Sequence, residues 1–518
     1  MKNLFSSGGR NILFHSVFLI LILLHLLTFL NLRVYPFVDL PMHLAIGTIF
    51  RFYGAADNQF SQFYLLDFSF QPNTFHPLFC SFRFFPTIEF GNKVFFSLYL
   101  ILLPLSLFLI VKRLGGNLWY TIALFPILYN YNVHWGFVGF VISIPLFLLF
   151  FYSLINYSPG IWNAKKLILA IFFLLFFFTH ILAGFFTLFF FLLFILWHFW
   201  CKKISLKSLL KESIVILPFL IIISIWWQRK KPYEVQDLLL FLFHYYKAEY
   251  LPTFLARARL MILDNRHLYP GFWGRFAGLF FSISLLAPTV FWLYKKKVWK
   301  SFFAAMRNYP LSLPFLLAFA SLFSYLLLPD RLPGEWSIYQ RFSVYFFLAV
   351  IMINSIVFAA KFRRVGIFFI SLISFFHFLL YLDYFRSFAQ ETSSFTKDIF
   401  PQVRQNQKLA GLIFDYQFRG KPIYIHFPDY YIIWCTGIAT TSFLDYRFTP
   451  VSRKVGNDIL PPYEGFVGQD RIYDGRYANM DYLLVRGEIP NSAKEKLEGF
   501  KMVKSLGNWF LYKKNDGN

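Results

Sequence analysis

Apolar runs of about twenty residues recur from Ile12 to Asp383, separated by short polar and basic clusters. A helix rising 1.5 Å per residue crosses a hydrocarbon core of roughly 30 Å with such a run. The pattern therefore predicts an α-helical polytopic membrane protein of about eleven spans. The first run, Ile12 to Leu32, is too long for a signal-peptide core and no small-residue cleavage pattern follows it, so it should stay as an anchor. The stretch from Leu167 to Trp200 would be roughly 50 Å long as one helix, which exceeds the core thickness and predicts a break near Thr179-His180.

Beyond about Tyr384 the apolar runs shorten to strand length, and Gln, Asn, Asp, Lys and Gly become frequent. The expected organisation is a multi-span domain over residues 1–383 and a small soluble α/β domain over residues 384–518. In the latter, Pro422 to Phe427 and Asp481 to Val485 read as strands, and Asn491 to Leu497 reads as a helix. Lys501 to Leu506 and Trp509 to Lys513, joined by Gly507-Asn508, read as a hairpin.

Charge fixes the expected orientation. Lys112-Arg113, Lys165-Lys166, the Lys202 to Lys211 cluster, Lys295 to Lys300 and Lys361 to Arg364 all fall between alternate spans, which marks them as cytoplasmic. Arg229 to Lys231 is the one exception. The N-terminus is then inside, the C-terminal domain is extracytoplasmic, and residues 33–93 form a large first outer loop. The net charge of +24 is thus a topology signal spread along the chain, not the single basic patch a nucleic-acid binder would show. A hydrophobic content of 58% and a mean hydropathy of +0.53 agree with a surface that faces lipid. Cys80, Cys201 and Cys435 have no metal-ligand spacing; a Cys80 to Cys435 disulfide is open in principle, since both lie on the outer side.

Candidate chemistry concentrates in the outer loops. In Tyr35-Pro36-Phe37-Val38-Asp39-Leu40-Pro41-Met42-His43, Asp39 can cap a short helix with Pro41 in its first turn, and His43 follows one turn later on the same face. A carboxylate and an imidazole at that spacing can share a divalent cation such as Mg or Mn, or one can orient the other as a base. A helix cap alone accounts equally well for Asp39. His76 and Glu89, further along the loop, can approach the same membrane-surface cleft. His134 and His180 sit at the outer ends of their spans and can line an outer cavity, whereas His198 lies near the inner face. Arg331, Glu335, Gln340 and Arg341 cluster in the outer loop after the apolar run Leu311 to Leu328, and Arg266-His267 precedes the run that leads to Lys295. For each of these outer arginines the alternative role is an interfacial anchor to lipid headgroups.

An Asp directly after an inside-to-outside first span resembles the GT-C superfamily of integral-membrane glycosyltransferases. His76-Pro77-Leu78 is similar to the His-Pro-Pro-Leu element of the protein mannosyltransferase and aminoarabinose transferase branch, with one proline missing. The Asp-Leu-Pro-x-His loop, the His134-Trp135-Gly136 turn and the His180 break resemble bacterial proteins of the same class. The resemblance implies transfer of a sugar from a polyprenyl-phosphate donor to an acceptor hydroxyl or amine at the outer face of the cell (inner) membrane, with Asp39 as the catalytic carboxylate. Negative charge developing on the departing lipid phosphate would call for a cation, for which Arg341 and Arg331 are first choices and Arg266 and His267 second. Two rivals remain. A transporter or flippase would place ionisable groups or broken helices near the bilayer midplane, whereas this chain keeps them in outer loops; a non-catalytic scaffold would keep the shell without the acid chemistry.

Overall fold

The computed structural model describes residues 7–515, apart from 68–70, 158, 160–163, 231–234, 252, 255, 258–271, 296–310, 333–334, 358–362, 402–406, 446–448, 455–479 and 495–496. The chain divides into two compact units. One comprises Met1–Asn31, Ser97–Val133 and Gly139–Tyr384; the other comprises Leu32–Phe96, His134–Val138 and Phe385–Asn518. The first outer loop therefore belongs to the same unit as the C-terminal residues.

The first unit is a helical membrane unit. Among the described residues, 7 helices are long and apolar enough to cross a bilayer, including Ile12–Leu30, Ile88–Arg113, Ile181–Trp200, Leu206–Lys230 and Phe368–Glu391. Val138–Leu154 and Ser312–Leu327 are shorter apolar helices. The break foreseen near Thr179-His180 is present: one helix ends at Thr179, the next begins at Ile181, and His180 between them is extended at φ −163° and ψ 114°.

The apolar run from about Leu118 to Tyr129, which the sequence pattern reads as a span, is a correction. Leu118–Ile127 is a 3-10 helix of 10 residues, interrupted by Pro126, and at about 2 Å per residue it covers roughly 20 Å, less than a hydrocarbon core. The carbonyls that such a segment leaves without regular partners are met from elsewhere in the unit. Ser374 Oγ donates to Ile122 O at 2.9 Å, and Tyr381 Oη donates to Pro126 O at 2.7 Å, as backbone withdrawn from water requires. Lys166, one of the basic residues read as cytoplasmic, is not exposed on the surface of the unit. It is buried against Glu212 at 2.9 Å, and Tyr157 donates to the same carboxylate at 2.5 Å.

The second unit is built on sheets. Its strands are β1 (Tyr64–Leu66), β2 (Lys408–Ile413), β3 (Ile438–Ala439), β4 (Val451–Arg453), β5 (Tyr482–Arg486), β6 (Phe500–Leu506) and β7 (Trp509–Lys514). Five of them form one sheet in the order β3-β2-β5-β7-β6, parallel between β2 and its neighbours β3 and β5 and antiparallel through the β5-β7-β6 hairpin side. The central strand β5 is buried at every position, as a strand covered on both faces should be. Gly507, at φ 60°, turns β6 into β7, so the expected hairpin forms. β1 and β4 make a separate antiparallel pair, with Tyr64 opposite Arg453, and join the first loop to the C-terminal residues.

Pro422 to Phe427 is not a strand. Ile423–Asp429 is a 3-10 helix, followed directly by the helix Tyr430–Cys435. Pro428 supplies no N–H for a ladder, which disfavours a central strand here. The turn is seated on β2, where a Cβ at Gly411 would lie 2.1 Å from Pro428 Cγ, so only glycine admits the proline ring. A buried cation holds the start of the turn: Arg486 stacks over the Tyr424 ring at 3.7 Å and pairs with Glu391 at 2.6 Å, and Tyr424 Oη donates to Glu391 at 2.6 Å.

Candidate functional site

Asp39 stands at the N-cap of the helix Leu40–Phe52, with Pro41 in the first turn, and makes no side-chain capping bond. Its backbone carbonyl accepts the first helical bond from His43 N at 3.2 Å, so the helix needs nothing from the carboxylate. Two strand-like backbone bonds hold the residue from the other side: Val38 N donates to His134 O at 3.1 Å, and Asp39 N donates to Trp135 O at 3.0 Å. The turn that makes them possible requires Gly136, which has φ 76°, and a Cβ there would lie 2.7 Å from Leu40 N and 2.8 Å from Asp39 N.

The imidazole that meets the Asp39 carboxylate is not His43. It is His426, on the 3-10 turn, whose Nε2 lies 3.5 Å from Asp39 Oδ1. The other ring nitrogen of His426 faces Asp429 Oδ2 at 3.9 Å. Asp429 is fully buried while Asp39 keeps 23% of its side-chain surface exposed. Burial pushes the Asp429 carboxyl up to about 7, against the pull of His426 and the Thr441 hydroxyl toward the charged form. A carboxylate, an imidazole and a second carboxyl thus stand in a row, and only the first is open to a reactant.

His43 and His76 pack ring against ring, edge to face, with centroids 5.9 Å apart. His76 is fully buried, and its Nε2 donates to Asn92 Oδ1 at 3.0 Å, with Cys80 Sγ 3.5 Å from the same nitrogen. Burial lowers its pKa to about 4, opposed by the Asn92 bond, so the ring is neutral. Glu89 accepts from Trp434 Nε1 at 2.7 Å, tying the loop to the helix Tyr430–Cys435. All three cysteines are free, so no disulfide joins Cys80 to Cys435. Among the described residues no three His, Cys, Asp or Glu side chains converge to hold a metal ion.

The membrane unit holds most of the remaining candidates. Arg341 is almost fully buried, and its guanidinium is committed within the unit: Nε donates to Ser337 O at 3.1 Å, Nη2 to Trp336 O at 3.1 Å, and Nη1 meets His180 Nε2 at 2.8 Å. Its carbonyl accepts from Asn132 Nδ2 at 3.2 Å. Glu335 lies at the edge of ion-pair distance, 4.0 Å from Arg341. Gln340 donates to Asp330 at 2.5 Å, which closes the same loop. Arg331 is 42% exposed and paired with Glu249 at 3.2 Å. Arg266 and His267 lie outside the described residues. His134 is buried in the second unit, where its carbonyl serves the Asp39 segment.

Sequence reasoning missed His426, Asp429 and the fully buried Arg257. Arg257 donates to Leu328 O at 2.5 Å and Leu326 O at 3.2 Å, and stacks over the Tyr339 ring at 4.0 Å. It thereby neutralises the carbonyl end of the helix Ser312–Leu327. For His426 and Asp429 a signal did exist, since they stand three residues apart. A strand reading sends such residues to opposite faces, whereas three residues per turn in a 3-10 helix stack them on one side.

No protein-family model and no curated protein sequence matches the chain. Two solved structures are similar to it over nearly its whole length. One is the crystal structure of ArnT from Cupriavidus metallidurans bound to undecaprenyl phosphate, with a TM-score of 0.52 and 10% identity, covering 99% of each chain. The other is the apo state of the same protein, with a TM-score of 0.51 and 11% identity, covering 98% of each chain. At that identity the likeness is one of fold. The chain is a multi-pass membrane protein whose fold is similar to that of ArnT.

Proposed function

We propose that this protein is a GT-C glycosyltransferase that moves a sugar from a polyprenyl-phosphate donor to an acceptor hydroxyl or amine at the outer face of the membrane, with Asp39 as the base. The fold supports the class of reaction, since one of the ArnT structures carries undecaprenyl phosphate. The observation that carries the proposal is the Asp39 carboxylate, partly exposed at the start of a short helix and backed at 3.5 Å by the His426 ring.

In the reaction, the acceptor O–H or N–H gives its proton to Asp39 as its lone pair attacks the anomeric carbon. The bond from that carbon to the phosphate oxygen breaks, and its electron pair leaves with the polyprenyl phosphate. The His426 ring, with Nε2 3.5 Å from Oδ1, holds the Asp39 carboxylate in place before the acceptor arrives. Within the membrane unit by itself, Arg331 is an exposed cation of the kind that binds a phosphate. Its exposed pair with Glu249 is worth only about 0–1 kcal/mol and exchanges readily for a stronger anion. Arg341, with its donors committed to carbonyls and His180, anchors the loop.

The test compares envelope glycans and glycoproteins by mass spectrometry in cells with and without the protein, then in cells carrying Asp39→Asn. The variant should insert at normal abundance and lose at least about 1000-fold in transfer, leaving the lipid donor to accumulate on the outer leaflet. An unchanged glycan profile in the Asp39→Asn strain would sink the proposal.

A further inference from the structure

We infer that Asp429 is a positioning residue for the transfer reaction, acting on Asp39 through His426; this rests on the catalytic reading of Asp39. The geometry carries it. Asp429 sits one 3-10 turn after His426 and approaches Nδ1 at 3.9 Å, while Nε2 on the opposite edge of the ring lies 3.5 Å from Asp39. An imidazole with a carboxyl group on each edge has a fixed orientation, because rotating the ring would withdraw both nitrogens from their partners.

The proton accounting explains why the second acid is useful. A neutral imidazole holds one N–H, which can sit on either nitrogen. If Asp429 is protonated and closes on Nδ1 from 3.9 Å, the ring's own proton is held on Nε2. If Asp429 is ionised, the ring carries both protons and Nε2 again has one. Either way an N–H points at the Asp39 carboxylate. Without Asp429 the ring can move its proton to Nδ1 and turn a lone pair, in place of an N–H, toward the Asp39 oxygens.

The surroundings suit this use. Asp429 is fully buried, with the His426 ring and the Thr441 hydroxyl as its polar neighbours. An acid so placed is costly to a fold unless it serves the group beside it. The groups that face it are His426, the Thr441 hydroxyl and Tyr64, whose own ionisation is driven upward chiefly by burial. No basic side chain is among them, so the imidazole is the partner that can share its proton.

The test uses the full-length protein in lipid nanodiscs and in cells. Asp429→Asn keeps the shape and removes the titration. It should lower transfer roughly 100-fold at normal abundance, change the pH dependence of the rate, and erase from infrared difference spectra a protonated-carboxyl band that titrates near neutrality. Asp429→Glu should recover part of the rate. Thr441→Val, which leaves both carboxyl groups in place, should raise the pH at which that band titrates and decide the matter if Asp429→Asn does not accumulate. Wild-type rate and pH profile in Asp429→Asn, with Asp39→Asn inactive, would overturn the inference alone. Full activity in Asp39→Asn would overturn the reading beneath it as well.

Discussion

Two buried imidazoles, His426 and His180, show how differently the two units treat a charged neighbour. In the second unit the partner of His426 is Asp39, which retains solvent access and makes no capping bond. In the membrane unit the partner of His180 is Arg341, nearly fully buried and bound through three nitrogens to two carbonyls and the ring. The first arrangement leaves a carboxylate's capacity available to something not yet present. The second spends a guanidinium on closing a loop over a helix break. A charged residue's burial is thus a poor guide to its role, and the identity of the atoms that satisfy it is a better one.

The contrast is open to breakage. Arg341→Ala should have the largest effect, and on stability: it strands two carbonyls and an imidazole in the membrane unit, at a cost of about 3 to 5 kcal/mol. Thermal denaturation in detergent and protein abundance would both report it. If Arg341→Ala instead accumulates normally with a stability close to wild type, the loop-anchor role is wrong and a donor contact becomes the better reading. His426→Gln should do the reverse, cutting transfer by roughly 100-fold while melting within a few degrees of wild type. Equal melting losses in the two variants would erase the distinction drawn here.

The smallest effect concerns pH, and its sign differs between two buried groups of the second unit. Burial takes His76 down to about 4 from 6.5, so the unfolded chain binds a proton first and stability is lost as pH falls from 6.5 toward 4. Burial takes Asp429 up to about 7 from 3.8, so the native state holds the extra proton and stability is lost as pH rises from about 4 to 7. In the wild type the two trends oppose each other. Asp429→Asn should therefore expose a fall in melting temperature on acidification, and His76→Gln a fall as pH rises. Identical pH curves for all three proteins would show that neither burial matters to stability.

The helix break at His180 was legible because a single helix through Leu167 to Trp200 would overrun the bilayer, a constraint that needs only length. The β6-β7 hairpin was legible because Gly507-Asn508 lies between two strand-like runs. Asp39 was legible as a loop carboxylate beside a helix start. Its partner was not: spacing pointed to His43, but that side chain packs on His76, and the imidazole that reaches Asp39 comes from near the other end of the chain. The 3-10 turn that presents it was hidden by an apolar run whose composition suits a strand until Pro428 and the Gly411 seat are considered together.

What the sequence determined by itself is what depends on local sums: how much apolar side chain a twenty-residue window offers to lipid, where basic residues must stay out of it, and which dipeptides turn a chain. Tertiary structure alone decided which buried groups meet, including Asp39 with His426, Arg341 with His180 and Lys166 with Glu212. The physical reason is that transfer into lipid is nearly additive along the chain. A pair of side chains, by contrast, gains its energy only when both arrive within a few ångströms, and sequence distance carries no information about that arrival.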